Sequence, residues 1–274
     1  MTRRLLAGAT ALGSAVLAYA TLVEPRWLAV RRSELRLDRW PAALDGLRVA
    51  VISDLHAGAP QVDPAWIRRI VERANAQRPD LVVLLGDHID GHHHLDDPVA
   101  PGAVAAALAG LRAPRGVIAV LGNHDWRTDG PGMAAALREH GITVLENTST
   151  AAGAGLWVAG VGDASTRFAD VARALGSVPD DDAAVLLLTH DPDVFPRVPD
   201  RPALTLAGHT HGAQVDLPLL RRAWIPSRFG ARYAGGLVRE DGRTMLVSAG
   251  VGTSGWPVRL GARPEVPVLT LRPA

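Results

Sequence analysis

The pattern of apolar and polar positions divides the chain into an N-terminal apolar segment and a long series of alternating strand-like and helix-like segments. Residues 5–23 carry no charged side chain. From Leu47 onward, short apolar runs alternate with amphipathic stretches, and the run Leu81–Leu85 is typical of a strand buried on both faces. The pattern predicts an α/β domain at 47–274, with β-sheets sandwiched between helices. It also predicts an N-terminal hydrophobic helix at 1–23 and a linker at 24–46, in which residues 34–37 alternate as an edge strand would.

Two of the predicted helices have recognisable ends. Asp63 precedes Pro64, which is typical of a helix N-terminus, and the apolar side chains that follow recur at helical spacing. The helix from Met133 to His140 is expected to end at Gly141. A further helix is predicted at 102–111, and strands are predicted at 48–52, 81–85, 117–121, 142–145, 156–161, 183–188, 203–207, 245–248 and 266–271.

The N-terminal apolar segment is close to the roughly 20 residues that a helix needs to cross a bilayer. It follows Arg3 and Arg4, and residues 2–6 resemble a twin-arginine export signal. Ala18-Tyr19-Ala20 has the small-x-small form of a signal-peptidase site. We therefore expect either a single membrane helix that anchors the chain or an export signal that is cleaved. The arginines on the two flanks are nearly balanced, and we expect the main domain outside the cytoplasm.

The composition excludes several classes of protein and of site. The 274 residues carry a formal net charge of +1, which argues against a general nucleic-acid-binding protein. There is no cysteine, so disulfides, thiolate metal sites and cysteine nucleophiles are excluded. The sequence contains neither a G-x-S-x-G nucleophile elbow nor a Walker-type phosphate loop. The remaining candidates for chemistry are histidine, aspartate and asparagine side chains.

Residues of the kinds that bind metals follow five of the predicted strands. Because ligand sites in α/β sheets gather at the carboxyl ends of the strands, we expect these segments to meet at one edge and form a metal centre. Their imidazole, carboxylate and amide groups, without sulfur, favour Mn²⁺, Fe or Zn²⁺. The five segments are Asp54-x-His56, Gly86-Asp87-x-x-Asp90, Gly122-Asn123-His124-Asp125, Thr189-His190-Asp191 and Gly208-His209-Thr210-His211-Gly212.

The other histidines have simpler interpretations. His140 lies at the predicted C-terminus of a helix, where a cation is mildly favoured. The run His92-His93-His94 is interpreted as part of an exposed loop, with a phosphate-facing rim beside Asp90 as the alternative.

At the five segments the sequence resembles the calcineurin-like metallophosphoesterases, and the resemblance covers the chain from Leu47 onward. The resemblance implies a centre of two divalent metal ions, with Mn²⁺ favoured and Fe or Zn²⁺ as alternatives. His124 would protonate the leaving group, and Asp90 would orient the imidazole of His124. The implied ligands are Asp54, His56 and His211 for one metal, Asn123, His190 and His209 for the other, and Asp87 as the bridge between them.

The closer resemblance is to the bacterial membrane-anchored branch that includes UDP-diacylglucosamine hydrolase-like enzymes. It rests on the N-terminal apolar segment, Glu24-Pro25, the segment 208–212 with Gln214, and the glycine-rich stretch Gly250–Gly255. The sequence departs from the pattern at two positions, since Ala213 stands where a second glycine is usual and Asp191 where asparagine is commoner. Neither departure removes a ligand, so both bear on substrate preference more than on catalysis.

An arginine-rich stretch after the last histidine segment is the main clue to the substrate. It is either an ordinary solvated loop or a rim that meets anionic headgroups with arginine and acyl chains with leucine and tryptophan. The candidate substrate-binding residues are Arg221, Arg222, Arg228 and Arg232, with Leu219, Leu220 and Trp224 as apolar neighbours.

These features together predict a metal-dependent phosphoric ester hydrolase. The favoured substrate is a phosphodiester or pyrophosphate in a lipid or cell-envelope precursor such as UDP-diacylglucosamine, with the membrane but no nucleic acid as a partner. Two alternatives stay open, a broad phosphomonoesterase and a metal-stabilised binding module without turnover. His124 and Asp90 argue against the binding module, because neither residue is needed merely to hold metal.

Overall fold

The protein is built on two β-sheets, seen in a computed structural model that describes residues 2–91, 99–166, 168–180, 182–217 and 225–274. The strands are β1 Ala29–Leu37, β2 Leu47–Ile52, β3 Leu81–Leu84, β4 Val117–Ala119, β5 Thr143–Val144, β6 Thr148–Ala151, β7 Leu156–Gly160, β8 Ala184–Leu188, β9 Leu204–Ala207, β10 Gly236–Glu240, β11 Arg243–Val247 and β12 Glu265–Pro273. The α-helices are α1 Thr2–Ala18, α2 Pro64–Asn75, α3 Pro101–Leu108, α4 Asn123–Thr128, α5 Gly130–Glu139 and α6 Val171–Leu175.

Each sheet has six strands among the described residues. The first has the order β1-β12-β2-β3-β4-β5, and the second has the order β10-β11-β9-β8-β7-β6. In the first sheet only the β12–β2 pair is antiparallel. In the second sheet β7, β8, β9 and β11 run parallel, with antiparallel strands at both margins. The parallel strands read as continuous apolar runs because both of their faces are covered.

The hydrophobic core forms three layers. Side chains from the facing surfaces of the two sheets, such as Val83 and Leu186, make one buried cluster between the sheets. Helices α2, α3 and α5 bury their apolar faces on the outer side of the first sheet. Helix α6 and the 3₁₀ turn Pro192–Arg197 cover the outer side of the second. The predicted sandwich of β-sheets flanked by helices is confirmed.

Several predicted elements differ in length from those observed. The predicted strand at 117–121 ends at Ala119, and the strand predicted at 142–145 shrinks to two residues. The alternating segment at 34–37 is part of β1, a nine-residue edge strand that pairs with β12 at the opposite end of the sequence. The edge strand expected within the linker therefore completes the first sheet. Local periodicity could not indicate its partner, because β12 is so distant in sequence.

The loops that carry the chemistry meet at one edge of the sandwich, which we call the carboxyl edge. Strands β2, β3, β4, β8 and β9 all end there, and hydrogen bonds join the loops of the two sheets. The amide of His209, after β9, donates to the carboxylate of Asp54, after β2. The ring of His190, after β8, bonds the carbonyl of Leu85, after β3, at 2.7 Å. Strand β1 begins at this same edge, since it runs parallel to β12 and β12 runs antiparallel to β2.

The N-terminal segment is helical and mostly exposed. Helix α1 continues through a π-helical turn, Tyr19–Val23, and a 3₁₀ turn, Glu24–Arg26. The stretch Leu5–Arg26 is long and apolar enough to cross a membrane, by length and composition. Its outer side chains are exposed, Leu12 by 68%, whereas Ala20 and Glu24 near its end are buried against the domain.

Candidate metal centre

The first group of candidate ligands consists of Asp54, His56 and His211. Asp54 and His56 follow β2 with positive φ angles of 54° and 48°. The left-handed backbone conformation is uncommon for non-glycine residues, although aspartate and histidine adopt it more readily than most, and it recurs at functional sites. The His56 and His211 rings face each other with 3.0 Å between their Nε2 atoms, and His211 Nε2 lies 3.5 Å from Asp54 Oδ1. The three side chains are buried and offer ligand atoms that could hold one ion.

The second group consists of His190, His209 and Asn123, and their acceptor atoms converge. The Nδ1–H of His190 donates to the carbonyl of Leu85, so the Nε2 atom of the neutral ring carries a lone pair. That Nε2 atom lies 3.2 Å from Asn123 Oδ1, 3.1 Å from His209 Nδ1 and 3.2 Å from Asp87 Oδ2. When His190 is neutral and His209 carries its proton on the other ring nitrogen, these atoms direct lone pairs toward one point, where a cation would offset their repulsion. The residues therefore fit a divalent metal ion.

Asp87 lies between the two groups. Gly86, with φ of 93°, turns the chain after β3, and Asp87 itself has φ of 52°. One carboxylate oxygen, Oδ1, accepts the amide of His124 at 2.8 Å. The other, Oδ2, lies 3.5 Å from His56 Nε2 and 3.2 Å from His190 Nε2. A single carboxylate oxygen is thus within reach of both groups, which is the arrangement expected of a bridging ligand.

Gly122 permits the close approach of the loops after β3 and β4. A Cβ atom at this position would lie 2.3 Å from Asp87 Oδ1 and 2.8 Å from His190 Cε1. No side chain fits at these distances without displacing both ligands. The glycine is therefore required by the packing of the site and not by its own φ angle.

Burial and mutual attraction shift the pKa values of the site in opposite directions. Burial opposes ionisation of Asp87, but the nearby imidazoles of His190 and His56 outweigh it and lower the pKa of Asp87 well below its usual value. Burial also opposes a charge on His190, yet the Asp87 carboxylate raises the pKa of His190 well above 6.5. The pKa of His56 is raised as well, because Asp90 and Asp87 outweigh burial. Burial, aided by His56, lowers the pKa of His211 well below 6.5.

His124 lies beside these groups at the start of α4. The amide of Gly91 donates to His124 Nδ1 at 3.0 Å, so a neutral His124 ring carries its proton on Nε2. The His124 ring meets the His56 ring edge to face, with 4.6 Å between centroids. Asp90 Oδ1 lies 3.8 Å from His124 Nδ1 and 3.6 Å from His56 Nδ1, so Asp90 is placed between the two rings.

Asp125 and Arg259 hold the loops of the site, and sequence reasoning assigned a role to neither. The Asp125 carboxylate accepts the amides of His88 and Gly122, at 2.8 and 2.9 Å, and thereby joins the loops after β3 and β4. The position of Asp125 in the motif Gly122-Asn123-His124-Asp125 was the only sequence feature that could have indicated this role. Arg259 sits in an unremarkable stretch of sequence, so nothing in the sequence marked it.

Arg259 is fully buried and binds backbone carbonyls around the first group of ligands. Its guanidinium donates to the carbonyls of Gly252, Ala249 and Ala262, with shortest distances of 2.6, 2.7 and 2.7 Å. It also donates to the carbonyl of His211 at 3.3 Å. Burial lowers the pKa of Arg259 to about 10, so the side chain stays charged at neutral pH.

A cavity of about 300 Å³ opens beside the candidate ligands, and Asp87, Asn123, His209 and His211 are the ligands that line it. Arg127 lies on its wall and was not singled out from the sequence, although a cation there suits a phosphate-binding site. Larger cavities lie elsewhere on the surface, away from the ligands. The residues lining the cavity are Asp87, Asn123, His124, Arg127, His209, His211, Gln214, Pro226, Ser254 and Gly255.

The remaining predicted residues lie apart from the ligands or outside the described residues. Arg228 pairs with Asp193 and Arg232 with Glu240, and neither arginine is among the residues that line the cavity. His140 is exposed, and its Nδ1 bonds the carbonyl of Ala136 one turn earlier. Arg221, Arg222, Leu219, Leu220, Trp224 and the run His92-His93-His94 lie outside the described residues.

Comparison with known proteins places the chain in context. Residues 47–213 match the model of the family described as calcineurin-like phosphoesterase, which confirms the resemblance drawn from the motifs. The chain is 30% identical to the metallophosphoesterase YkuE of Bacillus subtilis, over 98% of this chain and 93% of that protein. It is 31% identical to the phosphodiesterase YaeI of Escherichia coli, over 96% and 95% of the two chains. It is 25% identical to the UDP-2,3-diacylglucosamine pyrophosphatase LpxG of Chlamydia trachomatis, over 90% of each.

Proposed function

Because the chain belongs to the calcineurin-like phosphoesterase family of metal-dependent hydrolases, we propose that it hydrolyses a phosphodiester or pyrophosphate bond in a lipid or cell-envelope precursor. The observation that carries this proposal is the position of Asp87 Oδ2, within 3.5 Å of an imidazole nitrogen from each group of ligands. A shared carboxylate under an open cavity suits a pair of metals that acts on a phosphoryl group. It is not needed in a protein that merely binds metal for stability.

The ligands divide between two metal positions. Asp54, His56 and His211 would hold one metal, Asn123, His190 and His209 would hold the other, and Asp87 would be the ligand shared by both. When bound, such a pair of cations polarises the phosphoryl oxygens and activates water for attack. The imidazole, carboxylate and amide ligands suit Mn²⁺, which we favour, and also Fe or Zn²⁺.

His124 supplies the proton in this proposal. The Gly91 amide donates to Nδ1, so Nε2 is the ring nitrogen left to face the substrate. After the ring takes up a second proton, the imidazolium would pass its Nε2 proton to the leaving oxygen and return to the neutral form. The side chain lines the cavity, as does Arg127, whose positive charge attracts the phosphate. Asp90, close to the His124 and His56 rings, favours one orientation of each ring.

The lipid or envelope substrate is supported by two observations. The stretch Leu5–Arg26 is apolar enough to hold the protein at a membrane. One relative over most of the chain is a UDP-2,3-diacylglucosamine pyrophosphatase. We propose a single N-terminal helix with the catalytic domain outside the cytoplasm, a cleaved and exported form being the alternative.

A hydrolysis assay tests this function. The purified full-length protein, loaded with Mn²⁺, is offered UDP-2,3-diacylglucosamine, bis-p-nitrophenyl phosphate and p-nitrophenyl phosphate, each with and without chelator. We expect chelator-sensitive cleavage of the first two substrates and slower cleavage of the monoester. Preference for the monoester would favour the broad phosphomonoesterase. If none of the three substrates is cleaved while both metals are bound, the protein is a binding module.

The arginine-rich stretch has a separate proposed role. Arg221, Arg222, Arg228 and Arg232 would attract an anionic headgroup, each contributing about 1 kcal/mol near an anionic membrane. A protein that lacks residues 1–23 should still sediment with anionic vesicles at low salt. Replacing all four arginines by glutamine in that protein should abolish the sedimentation and leave cleavage of bis-p-nitrophenyl phosphate nearly intact. Unchanged sedimentation at low salt would identify the stretch as an ordinary solvated loop.

A further inference from the structure

The position of the N-terminal helix relative to the metal centre has a consequence for how substrate arrives. We propose that the loop Ser254–Pro257, here called the lip, rests in the interfacial layer of the membrane, so that the metal cavity opens onto the lipid surface. The lip is proposed to bind the lipid surface itself and not another protein. The inference rests on the proposed anchoring by the N-terminal helix and specifies which face of the domain meets the bilayer.

The topology of the first sheet brings the helix to the carboxyl edge. Strand β1 directly follows the helix, and its first residue, Ala29, pairs with Glu265 of β12. The amide of Glu265 donates to the carbonyl of Gly250, and Gly250 lies against the carboxylate of Asp54. The chain therefore leaves the helix at the edge where the metal ligands lie and runs away from that edge along β1.

A direct contact joins the end of the helix to the metal centre. The amide of Arg259 donates to the carbonyl of Ala20 at 2.9 Å, and Ala20 is only 3% exposed. The guanidinium of the same arginine bonds the carbonyl of His211 at 3.3 Å. One buried residue thus contacts both the helix end and the backbone of a candidate ligand, so the membrane surface cannot be far from the cavity.

Two tryptophans mark the surface that faces the membrane. Trp27 directly follows the apolar stretch and is 49% exposed, with the guanidinium of Arg263 3.9 Å from its ring centroid. Trp256, at the tip of the lip, is 68% exposed and lies three positions before Arg259. Indole rings gather at the headgroup level of membranes because they combine an apolar body with a polar N–H. Two exposed indoles beside the end of one membrane helix are therefore placed for that layer.

The lip is held firmly against the cavity. The side chain of Gln214 donates to the carbonyls of Ser254 and Trp256 at 3.2 and 2.9 Å and accepts the amide of Ser254 at 2.9 Å. Gln61 donates to the carbonyl of Pro257 at 2.7 Å. Ser254 and Gly255 line the cavity, whereas the neighbouring Trp256 does not. Membrane held at Trp256 would therefore lie immediately beside the cavity mouth.

The size of the cavity agrees with this orientation. A volume of about 300 Å³ accommodates a phosphate and its neighbouring groups but not two long acyl chains. With the lip in the interfacial layer, a lipid substrate enters with its phosphate alone and leaves its chains in the bilayer.

Labelling by cysteine substitution tests the proposal, because the chain contains no natural cysteine. A polarity-sensitive fluorophore is placed on full-length Trp256→Cys in phosphatidylcholine vesicles containing shallow spin-labelled lipid. Leu12→Cys on the exposed side of α1 is the immersed reference. Arg39→Cys, exposed just beyond the far end of β1, is the aqueous reference. A far-UV circular dichroism spectrum equal to that of the unlabelled wild-type protein confirms that each labelled protein is folded.

We expect the label at 256 to be blue-shifted and quenched by the spin-labelled lipid, nearly as strongly as the label at 12. Quenching at 256 that only equals that at 39, with the label at 12 immersed, overturns the proposal while leaving the anchoring intact. If the label at 12 is also aqueous, the anchoring fails and the proposal fails with it. Cleavage of the soluble diester reports separately on the proposed hydrolase activity.

A second measurement avoids the label. Brominated phosphatidylcholine should quench the tryptophan emission of the wild-type protein more than that of Trp256→Phe, which keeps an aromatic side chain on the lip. Equal fractional quenching in the two proteins would place Trp256 in water or against a protein partner and contradict the proposal.

Discussion

The two groups of ligands use similar residue types, yet their histidines are held in different charge environments. In the first group, burial and the neighbouring His56 keep the pKa of His211 well below 6.5, while Asp90 and Asp87 raise the pKa of His56. In the second, Asp87 overcomes burial and raises the pKa of His190 well above 6.5. The negatively charged Asp87 carboxylate lies 3.2 Å from His190 Nε2. His211 instead lies next to His56 and the positively charged Arg259. The comparison teaches that the positions of neighbouring charges, and not ligand type, set how readily each group releases protons to a metal.

The largest expected effect removes the charge that the two groups share. Asp87→Asn weakens the bridge and should lower kcat/KM by roughly 10⁴-fold or more, because several kcal/mol of metal-derived stabilisation is lost. At least one metal per chain should disappear in elemental analysis. The matched control is Asp241→Asn, whose carboxylate is 85% exposed in a surface turn. Retention of two metals per chain by Asp87→Asn would contradict the bridging role.

The next prediction separates metal binding from proton transfer. His124→Ala should keep both metals and lose roughly 10²–10⁴ in rate, since a positioned general acid contributes that much. Esters with good leaving groups need little protonation and should be affected least. The exposed His140→Ala serves as control and should be unchanged. A uniform loss for all leaving groups would show that His124 does not act as the acid.

Substitution of Arg259 should weaken metal binding by the first group of ligands more than by the second group. Arg259→Met leaves several buried carbonyls without a donor, and we expect roughly 3–5 kcal/mol lower free energy of unfolding in chemical denaturation. Arg39→Met, at an exposed position, should change little. Because Arg259 bonds the carbonyl of His211, metal should be lost first from the group that includes His211. Preferential loss from the second group would mean that Arg259 supports the fold without positioning His211.

The smallest expected effect is a difference in pH dependence between the groups. The pKa of His56 in the first group is raised, but that of His190 is raised further, well above 6.5. Metal-free His190 therefore holds its proton to higher pH, so protons compete with metal most strongly in the second group. As the pH falls, the second group should therefore lose metal before the first. Equilibrium dialysis at a series of pH values measures the metal bound by His190→Ala and by His211→Ala. The first variant keeps the ligands of the first group, and the second variant keeps the ligands of the second group. If the two variants lose metal at the same midpoint pH, the predicted difference between the groups is wrong.

The sequence alone predicted much of the architecture and of the candidate site. Buried parallel strands must be continuously apolar, so their positions were readable, and the polar residues that follow them had to lie at one edge. The local helix signal at Asp63-Pro64 was also sufficient, and α2 begins at Pro64 with Asp63 as its cap. These features depend on neighbours in sequence or on a rule of sheet geometry, which is why they could be inferred without coordinates.

Other features depend on contacts between distant segments, and only the tertiary structure decided them. The pairing of β1 with β12 joins the two ends of the chain and sets the helix beside the metal centre. The buried Arg259 is recognisable only once the loops at Ala249, Gly252 and Ala262 surround it. The opposite pKa shifts of His190 and His211 arise from distances of a few ångströms between side chains far apart in sequence. Residue types and their order determined which chemistry the chain carries. The tertiary packing decided how its charges, and the N-terminal helix beside them, are arranged.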